Sequence, residues 1–167
     1  MKTLQILMMN KKISGWDIST ASYDNKSFSV GSQDATPAGL FFKPDGTKMY
    51  ITGYQKDVVF QYSLSTARDV STASYDSKSF SVSSQDTSAW CLFFKSDGTK
   101  MYVSGRGSDR VYQYSLSTAW DVSTASYDSK SFGVSSQATN HYSLFFKSDG
   151  TKMYIAGDGP IYQYSLS

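Results

Sequence analysis

The chain has 167 residues, 16% of them aromatic, and its 16 basic and 14 acidic residues leave a net charge of +2. All of the acidic residues are Asp, and strong helix formers are scarce beside Tyr, Phe, Val, Ile, Ser and Thr, which excludes a helical bundle and a membrane-spanning chain. Weak, evenly spread basic charge speaks against nucleic acid, and a single Cys, Cys91, excludes a disulfide framework or a Cys-based zinc site.

Residues 1–15 do not match the later sequence and read as an N-terminal extension. Within them, Leu4 to Met9 reads as a decayed or short outer strand. The apolar stretch runs into Asn10, Lys11 and Lys12 rather than into a small-residue cleavage site, so it does not read as a secretory signal. The compartment stays open.

From residue 16 the sequence repeats. Trp16-Asp17-Ile18-Ser19-Thr20 returns as Arg68-Asp69-Val70-Ser71-Thr72 and as Trp120-Asp121-Val122-Ser123-Thr124, a period of 52 residues. The units are 16–67, 68–119 and 120–167, the third shortened by two residues near Gly159-Pro160. In the second unit, Tyr75 to Val82 is a strand of near-alternating apolar residues. After a polar loop comes the apolar run Leu92-Phe93-Phe94. Ser96-Asp97-Gly98-Thr99 is a hairpin turn, since Asp-Gly accepts positive φ. Lys100 to Ser104 returns, Gly105 to Arg110 is a loop, and Val111 to Leu116 is a further alternating strand. Four short strands in a unit of this length predict an all-β fold, a β-propeller with one four-stranded blade per repeat. A β-solenoid is the rival, but its coils are shorter and it needs terminal caps.

The Phe-Phe-Lys-Pro-Asp-Gly-Thr-Lys-Met-Tyr-Ile run at 41–51, with copies at 93–103 and 145–155, resembles the core of YVTN-type propeller repeats. The run from Tyr112 to Tyr127 is similar to tandem repeats of uncharacterised bacterial and phage proteins. The resemblance implies the propeller fold. Some proteins with this core are lactonases, and the resemblance implies for them a metal in the central channel on carboxylate and Asn ligands. This chain has no Glu, and its innermost segments (Gly39-Leu40-Phe41, Cys91-Leu92-Phe93, Ser143-Leu144-Phe145) offer no carboxylate. On these residues lactonase activity does not carry over, and neither a metal nor another cofactor is expected.

Labelled from the channel outward, the strands run D-ABC-D-ABC-D-ABC, opening on an orphan D strand, Tyr23 to Val30. Three blades cannot close a ring, and two exposed aromatic faces imply association. The expected partner is a second copy: a homodimer closing as a six-bladed ring, each first strand completing the other's last blade. A nine-bladed trimer is the runner-up, and a fragment of a longer gene would show the same spacing.

Two stretches differ strongly between repeats. The D–A loops read Asp34 to Ala38, Asp86 to Trp90 and Ala138 to Tyr142; the B–C loops read Tyr54 to Asp57, Arg106 to Arg110 and Asp158 to Pro160. Alternating strands bring both sets out on one propeller face, while the loops of the other face barely vary. This points to a ligand-binding surface on a uniform scaffold, with Tyr54, Trp90, Arg106, Arg110, His141 and Tyr142 as candidate residues. Simple packing at the channel mouth equally explains Trp90 and Tyr142, and a lone His is a poor metal site. Asp17, Asp69 and Asp121 read as local turn caps, and Trp16 and Trp120 as covers of the blade bottoms. Asp45, Asp97 and Asp149 fit either Asp-Gly turns or calcium. With one His, no Gly-x-Ser-x-Gly elbow and no phosphate loop, the residues point to a non-enzymatic binding module for a glycan or surface protein. A phage or bacterial assembly component is the alternative, and a channel-sited hydrolase comes last.

Overall fold

The computed structural model describes residues 17–167. The expectations for residues 1–15 and for Trp16 lie outside the described residues. Eleven strands form three antiparallel sheets. The first holds β1 (Pro37–Phe42), β2 (Lys48–Gly53), β3 (Val58–Leu64) and β4 (Ala73–Ser81), in that spatial order. The second holds β5 (Ala89–Phe94), β6 (Lys100–Gly105), β7 (Arg110–Leu116) and β8 (Ala125–Gly133). The third holds β9 (His141–Phe146), β10 (Lys152–Gly157) and β11 (Ile161–Ser165). β1 packs beside β5 and β5 beside β9, so the first strands of the sheets gather on the inside. Along them Phe41, Phe93 and Phe145 form an edge-to-face ladder with centroid spacings of 5.6 and 5.8 Å.

The all-β, blade-like architecture is as expected, and among the described residues two of the three sheets have four strands. The third sheet has three strands. The reason is an offset between repeat and sheet: the outermost strand of each sheet belongs to the following repeat, β4 and β8 starting at Ala73 and Ala125. Among the described residues, segment 23–30 is not laddered to any strand. It is nonetheless held, because Phe28 packs edge-on against Tyr62 at 5.6 Å. Phe80 meets Tyr114 at 5.4 Å and Phe132 meets Tyr164 at 5.3 Å in the same way, so segment 23–30 lies where an outer strand of a preceding blade would lie.

Burial follows the strand period. On β7, Tyr114 is enclosed while its neighbours Gln113 and Ser115 are only half-buried. Between the first two sheets, Tyr50 and Val59 interlock with Leu92, Phe94, Met101 and Val103; Tyr50 and Phe94 sit 4.5 Å apart. Each such side chain contributes about 1.5–3 kcal/mol by leaving water. A second cluster joins Cys91 and Val111 to Leu144, Phe146 and Ile155.

The turns explain the repeated Asp. Asp17, Asp69 and Asp121 cap the 3₁₀ turns Ile18–Thr20, Val70–Thr72 and Val122–Thr124, each accepting the backbone N–H two residues on at 3.1 Å. Asp97 accepts Thr99 N–H at 3.0 Å and its hydroxyl at 2.7 Å, and pairs with Lys95 at 2.6 Å, so the turn alone accounts for this carboxylate. Only Gly98 of the Asp-Gly pair takes a positive φ, +74°. The Trp120 indole lies over it, and a Cβ there would run into the ring.

Candidate functional site

The strongest cluster of chemically capable side chains lies where the D–A and B–C loops of the three sheets meet. Tyr54, after β2, stacks on Trp90 of β5, with centroids 4.9 Å apart and planes within 5°. The Arg106 guanidinium lies over the other part of the stack, 3.7 Å from the Trp90 ring centre and 4.4 Å from that of Tyr142 on β9. Tyr142 Oη donates to Asp158 Oδ1 at 2.6 Å, and Asn140 Nδ2 donates to Asp158 Oδ2. A cation, three aromatic faces and a carboxylate thus form one ladder crossing all three sheets.

Loop staples position it. Asp86 is buried, and its Oδ1 accepts the N–H of Ser88 at 2.8 Å and of Gly107 at 3.2 Å. Its Oδ2 accepts Ser108 N–H at 3.2 Å and Oγ–H at 2.6 Å. One carboxylate therefore ties the loop before β5 to the loop after β6. Ser88 in turn takes Trp90 Nε1–H on its hydroxyl at 3.1 Å and Arg106 N–H on its carbonyl at 3.0 Å.

The electrostatics follow. The Tyr142 and Asn140 hydrogen bonds, aided by the Arg106 charge, hold the Asp158 carboxyl below the usual carboxylate range. The same bond to Asp158 pushes the Tyr142 phenol up. Arg106 Nε is enclosed and has no hydrogen-bond partner among the described residues.

Of the six sequence-derived candidates, Tyr54, Trp90, Arg106 and Tyr142 come together. Arg110 does not: it lies on β7 and donates through Nε and Nη2 to Ser131 Oγ at 3.1 and 2.9 Å. His141 is fully enclosed, with Nε2 3.0 Å from the Ala138 carbonyl oxygen. It stands in the register position of Ala89, whose N–H is taken by Asp57 at 2.9 Å. The equivalent of Asp57 is Asp109, whose Oδ1 is buried without a partner among the described residues, as is the ring nitrogen His141 Nδ1. Asp158 and Asn140, both in the variable loops, join the cluster although the sequence did not single them out. Their signal is a carboxylate and an amide within reach of the same Tyr.

A metal centre of the kind the resemblance implies does not fit these residues. Among the described residues no three His, Cys, Asp or Glu side chains lie close enough together to hold an ion. The carboxylates of Asp86 and Asp97 are already saturated by N–H and O–H donors.

No family model and no curated protein matches the chain. Solved structures do. A protein provisionally named 6-phosphogluconolactonase from Bacteroides uniformis is similar with a TM-score of 0.59 at 15% identity, over 85% of this chain and 41% of its own. The periplasmic gluconolactonase of Pseudomonas aeruginosa matches with a TM-score of 0.55 at 12% identity, over 78% of this chain and 37% of its own. A chain of a mitotic checkpoint complex matches with a TM-score of 0.56 at 8% identity, over 78% and 36%. This chain thus spans less than half the length of the structures it matches.

At these identities the likeness shows the fold alone, an all-β, propeller-like one. It also corrects the expectation of a non-enzymatic binding module, and with it the expectation that the chain is not an enzyme: among the structures that share the fold are proteins named as gluconolactonases, which are hydrolases. The implied metal ligands belong to the innermost strands, whereas Arg106, Tyr142 and Asp158 of this chain come together on the loops.

Proposed function

We propose that this chain is part of a propeller hydrolase that opens a sugar lactone, with substrate seated on Tyr54, Trp90, Arg106 and Tyr142 and attacked beside Asp158. The observation that carries the reading is Arg106 held between Trp90 and Tyr142 in a ladder that ends on the carboxylate of Asp158. The names of the fold neighbours support it.

A lactone is an internal ester. Water forms a bond to its carbonyl carbon, the bond from that carbon to the ring oxygen breaks, and the ring oxygen takes up the proton the water gave up. No group departs. Aromatic rings on the ladder offer flat apolar faces to the C–H side of a sugar ring. Arg106 offers N–H donors to the oxygen that becomes negative as water adds, or to an anionic substituent. Asp158, held ionised, accepts a hydrogen bond from the attacking water and orients it. His141 and Arg110 are left out of this site, one by enclosure and one by its bonds to Ser131.

The same reading takes the repeats as YVTN-type blades in one unit from residue 16 to residue 167. Its ring has six blades, three from each of two chains. Acid release from glucono-δ-lactone and from 6-phosphogluconolactone, measured against the buffer rate, tests the activity. Catalysis of at least one is expected, with Arg106→Ala slowing it by about 10²–10³-fold, as for loss of an oxyanion donor. A wild-type rate equal to buffer on both overturns the proposal.

A further inference from the structure

Resting on the two-chain ring but not on the hydrolysis, we infer that a second copy of this chain lays its segment 23–30 along the free edge of β11, and that Asp24 and Asp17 of the partner subunit complete two ion-pair networks there.

The complete sheets set the template. β4 pairs with β3 so that Tyr75 opposes Tyr62 and Lys78 opposes Gln61; β8 pairs with β7 so that Tyr127 opposes Tyr114 and Lys130 opposes Gln113. β11 carries Tyr-Gln-Tyr-Ser as β7 does, where β3 has Phe-Gln-Tyr-Ser, and among the described residues no strand pairs with that edge. The 52-residue period places Tyr23 and Lys26 in register with Tyr75 and Lys78.

A polar network repeats with the strands. Asp76 Oδ2 accepts from Lys48 at 3.1 Å and from Gln61 at 2.8 Å, and Asp128 Oδ2 accepts from Lys100 at 2.9 Å and from Gln113 at 2.7 Å. In the third sheet Lys152 reaches only Ser165, at 2.7 Å, and among the described residues neither Lys152 nor Gln163 bonds a carboxylate. The register equivalent of Asp76 and Asp128 is Asp24. Among the described residues Asp24 makes no ion pair and no hydrogen bond. The network is split between the two open faces of one chain.

A second pairing is split in the same way. The outer-strand lysine of one blade meets the capping Asp of the next: Lys26 pairs with Asp69 at 2.6 Å, and Lys78 pairs with Asp121. The next lysine in the series is Lys130, on the rim of a groove of about 710 Å³ that runs beside β11, and it has no acidic partner among the described residues. The capping Asp left over is Asp17. Beside it Ile18 is 89% exposed, whereas its equivalent Val122 is 0% exposed, with its N–H on Gln61 of the neighbouring blade at 3.0 Å. Ile18 is an apolar side chain waiting for the same cover. Phe28, packed on Tyr62 of its own chain, already holds segment 23–30 beside the first sheet. Docking that sheet against the third carries the segment onto β11.

The test is the mass in solution of the purified 167-residue chain, by light scattering over a concentration series. Two chains are expected. Asp24→Lys and Lys152→Asp should each raise the dissociation constant about ten- to a hundredfold while leaving the far-ultraviolet circular dichroism unchanged. The double variant carrying both changes restores the pair at each junction and should recover the dimer. A single-chain mass overturns both the ring and the junction, and a three-chain mass overturns the pair. A dimer that ignores both single variants, or that the double variant fails to restore, overturns the junction and leaves the ring standing.

Discussion

Asp86→Ala should be the most damaging single loop substitution in the described chain. The carboxylate is almost completely enclosed and accepts four hydrogen bonds, from the N–H groups of Ser88, Gly107 and Ser108 and from the Ser108 hydroxyl, at 2.6–3.2 Å. Removing it strands three backbone donors at once. A hydrogen bond to a charged acceptor contributes about 1.5–3 kcal/mol, and bonds sharing one acceptor overlap, so the loss is about 3–5 kcal/mol. That is a large part of a typical domain stability of about 5–15 kcal/mol. Asp34 supplies the internal control. It does the same work with three donors, Thr36 N–H at 2.7 Å, Thr36 Oγ–H at 2.9 Å and Lys56 N–H at 3.1 Å, so Asp34→Ala should cost less, about 2–3 kcal/mol. The third repeat carries Ala138 at this position and a B–C loop two residues shorter, so staple and loop length vary together. Urea unfolding followed by Trp fluorescence, at one fixed protein concentration, reads both variants. Because Ser88 holds Trp90 and Arg106, Asp86→Ala should also loosen the aromatic ladder, seen as a rise in KM once a substrate is in hand. A loss under about 1 kcal/mol, or a larger loss at Asp34 than at Asp86, refutes the reasoning.

Two further outcomes follow from the same geometry. Asp121→Glu keeps the charge but moves it one methylene beyond the Ser123 N–H that Asp121 accepts at 3.1 Å; it should cost about 1 kcal/mol, and Asp121→Asn, which keeps the capping oxygen, less. The reverse order in urea midpoints would show that the charge on Lys78, and not the cap, is what matters. Acid should weaken the fold through Asp128 and Asp76. Burial raises the Asp128 carboxyl, but the hydrogen bonds from Ser115, Gln113 and Lys100 outweigh it and bring the value down to about 2; Asp76 is lowered by the same balance. A carboxyl lowered in the folded state gives stability that is present above its unfolded value of 3.8 and is lost as pH falls through the folded value. The urea midpoint should therefore drop between about pH 4 and pH 2, and a Lys100→Met variant should show a shallower drop; equal slopes would refute the assignment.

Much of the fold was legible because the apolar alternation and the Asp-Gly turns repeat. The expected strand at Val111 to Leu116 is β7 with one residue added, and Lys100 to Ser104 is β6 likewise. β5 begins earlier than the run Leu92-Phe93-Phe94, at Ala89, because Cys91 and Ala89 pair with Ser104 and Gly105 across an irregular register that no alternation pattern reveals. Four of the six candidates, chosen from residue type and loop variability alone, lie together in one cluster. Arg110 was misplaced because the loop read as ending on it is one residue shorter, and the first β7 position pairs with Gly133, leaving the side chain to reach Ser131. His141 was misplaced because it looks like a loop residue, whereas β9 turns it inward at the position of enclosed Ala89. Asp158 escaped because its loop has lost two residues, and the matching loops show aromatic or basic side chains there.

The absence of Glu is the most informative part of the composition, because it follows from geometry. Eight of the 14 acidic residues, Asp17, Asp34, Asp45, Asp69, Asp86, Asp97, Asp121 and Asp149, accept the backbone N–H two positions on. Each of those positions is Ser or Thr, and its hydroxyl bonds the same carboxylate at seven of them, as at Thr99 and Ser123. That small ring closes only with the one-carbon side chain of Asp; Glu overshoots it. Ser, Thr and Asp are therefore enriched together. They are polar residues used as backbone connectors, which lets a chain with few helices and many turns satisfy its N–H groups without burying unpaired ones. The Asp that departs from this pattern in the ladder, Asp158, is held by side chains of Tyr142 and Asn140 instead of by its own turn. Its acceptor oxygens are aimed outward at neighbouring loops, and that departure from the connecting role is the physical reason to look for chemistry there.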